Sequence, residues 1–461
     1  MTTIAAIATA PGQGAIGIVR LSGEQSRDLL AQVFKPHRGT FTEFRPWVLH
    51  RGHFLLEDQR FFDDVLCVYM PAPKTYTGED MAEIQCHGSP LILETILARL
   101  FALGATPAER GEFSKRAFLN GRMDLSQAEA VAEIVSARST RAIEASLSQL
   151  DGLLSREIAS LRAAVDRLRA ELVLAVDFPE EESDIFDRDR FAHDVSELDL
   201  GIERLLKGSR RSRIQHDGAR VLLLGAVNAG KSSLLNAYLG RERALVTETP
   251  GTTRDYLEEL CTLEGVPVRL VDTAGLRETC DCVERLGIAR GLELASGADA
   301  ALILLDGEAL SSESHHGIPN DPRYREIFEA THDIPRILVW NKVDCYRPEG
   351  PPLWWREPFV CVSTRTGEGL DSLASLIVRA ALRESPSQGD EYVAVNVRQA
   401  HVLTCAREEL ARLVTSLRRG DSCDLCCVQL NSISGLLGEI IGVSTPDAVL
   451  NSIFDSFCIG K

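Results

Sequence analysis

The stretch GAVNAGKSS, Gly225–Ser233, fits the spacing G-x-x-x-x-G-K-S, after the apolar run ARVLLLG and at the head of SSLLNAYL. Strand, glycine loop and helix in that order make a cradle for phosphates, because the glycines let backbone N–H groups turn toward one anion. In such a cradle Lys231 reaches the outer phosphates and the Ser232 hydroxyl ligates Mg2+, while Asn228, Ala229, Gly230 and Ser233 line the nucleotide. Four companions follow in order. Thr247, Glu248, Thr249, Pro250, Gly251 and Thr252 lead to Thr253 in TPGTTRD, which is placed to complete the Mg2+ shell. Asp272, Thr273, Ala274 and Gly275 end a strand as the magnesium-linked and phosphate-sensing segment. Asn341, Lys342, Val343 and Asp344 end another, and the Asp344 carboxylate can accept two N–H donors that guanine has and adenine lacks in that arrangement. Ser363, Thr364 and Arg365, with Thr at the usual Ala position, offer backbone donors to the guanine oxygen. The set points to GTP rather than ATP.

The next residue after Gly275 is Leu276, where many nucleotide hydrolases carry a glutamine that orients the attacking water. Leucine has neither donor nor acceptor, so hydrolysis needs another means of holding that water. The nearest downstream acids are Glu278, Asp281 and Glu284. A potassium ion can supply positive charge if the loop gives it an oxygen, and the Asn228 side-chain carbonyl is one; the plainer reading of Asn228 is a residue that stabilises the loop.

The elements that must carry these residues are legible in outline. From Gly218 to about Arg383, strand candidates Val221–Leu224, Val268–Val271, Ala301–Leu305, Ile337–Trp340 and Phe359–Val362 alternate with helical stretches, predicting a parallel sheet covered by helices on both faces. Before it, Asp124–Val176 is proline-free, rich in Ala, Leu, Glu and Arg, and apolar at three- and four-residue spacing, predicting long amphipathic helices. Pro179 and the acidic run Glu180–Glu182 end that stretch. Residues 1–118 mix short runs such as Ile16–Leu21 and Val65–Met70 with Gly and Pro, predicting an α/β or β-rich domain. After the linker Glu384–Asp390 the chain reads as helical again, with Thr445 capping and Pro446 opening a last helix. The expected domains are 1–119, 120–217, 218–383 and 384–461, the third inserted between two helical parts that pack on each other.

At 461 residues and 44% hydrophobic composition, the chain suffices for about three ordinary domains. Its net charge of −17 disfavours indiscriminate nucleic-acid binding, so an RNA partner requires a local patch or a helper protein. Twelve cysteines are too dilute for a disulfide framework, and the cluster Cys423, Cys426 and Cys427 reads as a buried helical face rather than a zinc site. No cation precedes Arg20 and no apolar run reaches membrane-spanning length, so the expected location is the cytoplasm.

The stretches AIATAPGQGAIGIVRLSG, YTGEDMAEIQCHGSP, RGEFSKRAFLNGRMDLSQAEA, TPGTTRD, DTAGLRET and the terminal FCIGK resemble the MnmE (TrmE) family of bacterial and organellar tRNA-modification GTPases over nearly the full length. The resemblance implies a multidomain α/β protein: an N-terminal folate-binding and dimerisation domain, a helical domain, and an inserted Ras-like P-loop GTPase domain. It implies work with an FAD-dependent partner of the MnmG (GidA) type, as homodimer and heterotetramer, placing a carboxymethylaminomethyl or aminomethyl group on the 5-position of the wobble uridine of certain tRNAs. By similarity, Asn228 with Thr247, Thr249 and Thr252 holds K+, and Glu284 orients water, which would relieve Leu276 of the task. It further implies a 5-formyl- or methylene-tetrahydrofolate held by Arg20, Glu83, Arg122 and Lys461, with Cys458 acting as nucleophile or acid–base group toward uracil. Arg122 stands where many relatives carry Lys, and Cys86 and Ser89 stand where they commonly carry Gly. The rival reading is a non-catalytic RNA-binding switch of ribosome assembly; Gly435–Gly438, GLLG, matches the KH loop only superficially, because it holds no basic residue and is flanked by apolar ones.

Overall fold

Period-two alternation in IGIVRLS buries Val19 and Leu21 and turns Arg20 to the opposite face, the pattern of a strand covered unequally on its two sides. In a computed structural model this strand lies within a seven-stranded sheet of order β3-β4-β5-β6-β2-β1-β7. The strands are β1 (Ile4–Ile7), β2 (Ile16–Ser22), β3 (Phe34–Pro36), β4 (His50–Leu55), β5 (Phe61–Met70), β6 (Met81–His87) and β7 (Thr106–Pro107). Neighbours pair antiparallel except β1 and β7, which are parallel. Helices α1 (Ser26–Val33) and α2 (Pro90–Ala102) cover one face, where Leu30 and Ile96 pack with Val19, Leu21 and Ile84 of the sheet. On the other face Phe113 of α3 (Glu112–Leu119) packs with Ile4, Ala6 and Met81.

The structure describes residues 2–37, 41–137, 139–177, 188–226, 228–241, 257–272, 297–308, 322–383 and 393–460. They divide into two compact units. One comprises Met1–Ala132, Gln149–Leu198 and Cys405–Lys461, the other Glu133–Ser148 and Asp199–Thr404. The expected helical stretch from Asp124 is three helices, α4 (Leu125–Ser136), α5 (Thr140–Leu150) and α6 (Leu153–Asp177). The break before α6 is Gly152, whose φ of 81° ends the preceding helix without a Cβ penalty. Asp124 starts α4 with a reciprocal cap: its carboxylate accepts from the Gln127 N–H at 3.0 Å and the Gln127 side chain accepts from the Asp124 N–H at 2.9 Å.

In the second unit, α7 (Arg188–Asp217), which begins in the first, leads into a sheet of order β13-β12-β11-β8-β10-β9. Its strands are β8 (Ala219–Gly225), β9 (Leu257–Leu263), β10 (Val266–Asp272), β11 (Ala300–Asp306), β12 (Arg336–Asn341) and β13 (Phe359–Cys361). The five strands legible in the sequence pair parallel, as expected. The sixth, β9, corrects the all-parallel expectation: it is an antiparallel edge joined to β10 by Glu264 and Gly265 at φ 50° and 77°. A two-residue turn with both φ positive matches strand twist, so the hairpin closes there. Both faces are buried: Val221, Leu223, Leu302 and Leu304 lie under α8 (Lys231–Arg241) and α10 (Leu370–Leu382), while Leu222, Ile303 and Leu305 pack with Ile327 of α9 (Pro322–Ala330).

After α10 the chain continues through α11 (Val397–Arg419), α12 (Cys423–Ile441) and α13 (Asp447–Asp455). As expected, helical segments from the two ends of the insertion pack: α12 lies along α6, with Arg169 Nη1 donating to Asn431 Oδ1 at 2.8 Å. Gly435–Gly438 falls inside α12, so it forms no KH-type loop, and Cys423, Cys426 and Cys427 sit on its first two turns, where Cys426 is buried but Cys423 and Cys427 are only half-buried because they lie to either side of the packed stripe. Thr445 does not cap the last helix. Its hydroxyl donates to the Glu439 carbonyl at 3.0 Å, satisfying an acceptor at the end of α12, and Pro446 takes the N-cap position of α13.

Candidate functional site

Parallel strands bring the ends of β8, β10, β11, β12 and β13 to one edge of the second sheet, and the expected nucleotide residues leave from that edge. In the loop after β8, Asn228 is exposed and left-handed at φ 67°, a conformation Asn tolerates better than most residues. Ala229 is buried and its carbonyl accepts from Asn341 Nδ2 at 2.9 Å. Gly230 has φ 94°, and a Cβ there would overlap the same Asn341 amide. Lys231 Nζ donates to the carbonyls of Gly225 at 2.7 Å and Ala226 at 2.9 Å, which holds the ammonium inside the loop. Ser232 and Ser233 lie in the first turn of α8, where unpaired N–H groups and the helix dipole favour an anion.

Two oxygen ligands meet where a divalent ion is expected. Ser232 Oγ donates to Asp272 Oδ2 at 3.1 Å, and Asp272 is buried at the end of β10. Hydroxyl and carboxylate oxygens are the hard donors that Mg2+ takes, so these two fit the ion.

On the guanine side, Asn341 is buried and its Oδ1 accepts from the Thr364 N–H at 3.4 Å. One side chain thus bridges the phosphate loop and the segment after β13. Thr364 in place of Ala keeps this backbone contact, which requires only its N–H. Asp344 Oδ1 accepts from Ser363 Oγ at 2.7 Å, and that bond holds the Asp344 carboxyl below its ordinary range. An ionised, oriented carboxylate is what paired N–H donors of a base require. Val343 continues the β12 edge, its N–H donating to the Val362 carbonyl at 3.2 Å, and exposed Arg365 stands 3.9 Å from Asp344. Lys342, at φ 61°, donates to Asp306 Oδ2 at 2.9 Å and Glu308 Oε2 at 3.1 Å, and the Asp306 bond chiefly raises its pKa. Asp306 and Glu308 were not among the residues expected from sequence; the signal was an acid directly after the buried run ALILL.

The first unit gathers part of the second expected set. Arg20 and Glu83 are direct cross-strand partners, with Nε donating to Oε1 at 2.9 Å. Arg20 Nη1 donates to the Gly460 carbonyl at 3.3 Å, and its guanidinium lies 6.0 Å from the Tyr76 ring and 5.9 Å from that of Phe113. Arg122 Nε donates to the Thr75 carbonyl at 3.0 Å. The C-terminus is docked: Phe457 is buried with Leu125, Ala128 and Phe454, Ile459 bridges Arg110, and a Cβ at Gly460 would overlap the Ile7 carbonyl. Cys458 is exposed between them, and so is the apolar Ile459. Cys86 points into the core, where burial pushes its thiol up to about 11, and Ser89 has an ordinary φ of −99°, so neither replacement of glycine intrudes.

Thr247–Thr253, Thr273–Gly275, Leu276, Glu278, Asp281, Glu284, the linker Glu384–Asp390, Pro179 with the acidic run Glu180–Glu182, and Lys461 lie outside the described residues.

A glycine loop at a helix N-terminus, a serine–aspartate pair and an oriented carboxylate at the carboxyl edge of one sheet are the arrangement of a P-loop GTPase. The family model for the MnmE helical domain matches residues 125–458, and that for the GTP-binding protein TrmE N-terminus matches residues 3–122. The tRNA modification GTPase MnmE of Lawsonia intracellularis is 46% identical over 468 residues, covering 100% of this chain and 99% of that protein. The MnmE of Nitratidesulfovibrio vulgaris strain DP4 is 44% identical over 469 residues, with 100% and 99% covered. The chain belongs to the MnmE family. Among solved structures, the G domain of the T. maritima FeoB iron transporter is 28% identical and covers 35% of this chain and 98% of its own, with a TM-score of 0.26; the nucleotide fold above rests on strand order, not on that likeness.

Asp344→Asn removes the charged acceptor for the base and is expected to weaken GDP binding by about two orders of magnitude, whereas Ser363→Ala, which only loosens the carboxylate, weakens it several-fold. Titration with a fluorescent GDP checks this; equal affinities for the three proteins would contradict the assignment.

Proposed function

We propose that this GTPase modifies tRNA: with an FAD-dependent partner of the MnmG type, it places an aminomethyl-type group on carbon 5 of the wobble uridine. The observation that carries the reading is the pairing of the Ser232–Asp272 and Ser363–Asp344 contacts at the carboxyl edge of the second sheet with full-length identity of up to 46% to proteins named tRNA modification GTPase MnmE. In the proposed hydrolysis, loop N–H groups and Lys231 bind the phosphates, and Ser232, Thr253 and Asp272 hold Mg2+. Mg2+ and K+, when bound, offset charge developing on the phosphoryl oxygens. Asn228 stands on an exposed left-handed turn of the loop after β8, and its side-chain oxygen, with Thr247, Thr249 and Thr252, would supply oxygens for K+. Glu284 orients the attacking water in place of Leu276. The remaining residues of the loop and the two β-strand ends position the nucleotide as assigned above.

Arg20 and Arg122 supply cationic donors for the carboxylates of a 5-formyl- or methylene-tetrahydrofolate, Glu83 an acceptor for ring N–H groups, and Lys461 a further cation. Support comes from the Arg20–Glu83 pair and from the docked tail that brings Gly460 to Arg20. Exposed Cys458 on that tail is the proposed nucleophile or acid–base group toward uracil. The chain works as a homodimer and, with its partner, as a heterotetramer, in the cytoplasm; among the described residues no helix is long and apolar enough to cross a membrane.

Purified protein is expected to hydrolyse GTP several-fold faster or more in K+ than in Na+, and Glu284→Ala to slow turnover while leaving GTP affinity within about twofold; equal rates in the two salts defeat the cation assignment. Mass spectrometry of wobble nucleosides from cells lacking the gene tests the function itself. Loss of the aminomethyl-type uridines is expected, and an unchanged nucleoside profile would overturn the proposal.

A further inference from the structure

Far along the first sheet from β1, three polar side chains converge without a role in either site above. Lys35, His53 and Asp64 are successive cross-strand partners on β3, β4 and β5, and His37 extends the β3 line, its N–H donating to the Arg51 carbonyl at 3.3 Å. Period-two alternation therefore puts His37, His53 and Asp64 on one face. One donor atom from each lies within 4.8 Å of the other two. We propose that His37, His53 and Asp64 form a site for a divalent first-row transition-metal ion, with Zn2+ as the reference case.

Geometry and unmet bonding both support it. His37 Nδ1 and His53 Nε2 are 3.0 Å apart, near the roughly 3.3 Å separation of two nitrogens on a tetrahedral ion with bonds of about 2.0 Å. Asp64 is oriented by Arg51, whose Nη2 donates to Oδ2 at 2.6 Å. The other oxygen, Oδ1, is shielded from solvent and has no hydrogen-bond partner, and the same is true of His53 Nδ1, 3.9 Å away. A shared proton between the two rings satisfies their facing nitrogens but leaves this oxygen unpaired. A bound ion on His37 Nδ1, His53 Nε2 and Asp64 Oδ1 takes up that oxygen, with each ring neutral and its proton on the nitrogen facing away from the metal, which for His53 is Nδ1. Arg51 then acts as the outer partner that orients a ligating carboxylate.

Two imidazoles and one carboxylate suit Zn2+, Ni2+ or Cu2+ better than Mg2+, which prefers oxygen alone. Three protein ligands leave a fourth position. His37 also lines an open cavity of about 610 Å³ with Arg45, His50 and Arg51, so water or a small anion can reach that position. Such an ion ties the end of β3 to β4 and β5.

The test uses full-length protein kept reduced in Mg2+ buffer, with equilibrium dialysis against Zn2+. Wild type is expected to bind one equivalent more than His37→Ala and Asp64→Asn, both at positions with solvent access. Loaded with Co2+, wild type should show visible ligand-field bands that both variants lose, and these bands separate an imidazole and carboxylate site from binding by the cysteines, whose thiolates add charge-transfer absorption. Circular dichroism and thermal unfolding of the full-length variants that match wild type show that the substituted sheet folds. Equal Zn2+ stoichiometry in the three proteins, or Co2+ spectra of thiolate type that the substitutions leave unchanged, would overturn the proposal.

Discussion

The nucleotide edge depends on one buried amide. Asn341 donates to the Ala229 carbonyl inside the phosphate loop and accepts from the Thr364 N–H beyond β13. Because Asn341 is buried at the end of β12, its position is set by the sheet rather than by a flexible loop. The loop in turn approaches it so closely at Gly230 that no other residue fits, and Gly230 already has a φ that L-residues avoid. The phosphate cradle and the base-reading segment are therefore registered to each other by a single side chain. Breaking it leaves a buried carbonyl unpaired, a cost of about 1–3 kcal/mol that falls on the loop itself.

Everything local in this arrangement was legible in the sequence. The loop glycines, Lys231, Ser232, Asp272 and Asp344 follow from spacing and from the apolar runs before them, since each chemical requirement is met within a few residues. What was not legible depends on partners distant in the chain. The bridge from Asn341 to Ala229 spans 112 positions, and the acids Asp306 and Glu308 matter because folding brings Lys342 to them. Strand β9 was missed although Glu264 and Gly265 mark a hairpin turn, because the alternation in LEELCTL is weak at an edge that is covered on one side only in part. The helical stretch from Asp124 gave its composition away but not its breaks, which sit at single turn residues such as Gly152.

In the first unit, resemblance and physics separate the motif residues into two kinds. Much of YTGED is internal architecture: Thr77 and Glu79 share bonds with Ser22, buried Arg116 binds Glu79 and Glu112, and Asp80 receives Tyr69 and the Ala72 N–H. Arg116 is stable in that position because two carboxylates and the Thr2 carbonyl satisfy it. Arg20 and Glu83, the residues proposed for ligand chemistry, pair with each other, and Arg20 donates to the docked tail at the Gly460 carbonyl. A terminal segment that would otherwise fray is held by Phe457 and Gly460, which fixes Cys458 at the surface.

The central claim is that Asn341 holds the phosphate loop. Amide hydrogen exchange across Ala226–Ser233 in wild type and in Asn341→Ala tests it most directly, because exchange reports local opening of that loop. The account predicts faster exchange in the variant at the loop, with the strands β8 and β11 unchanged. Identical exchange in the two proteins would contradict it.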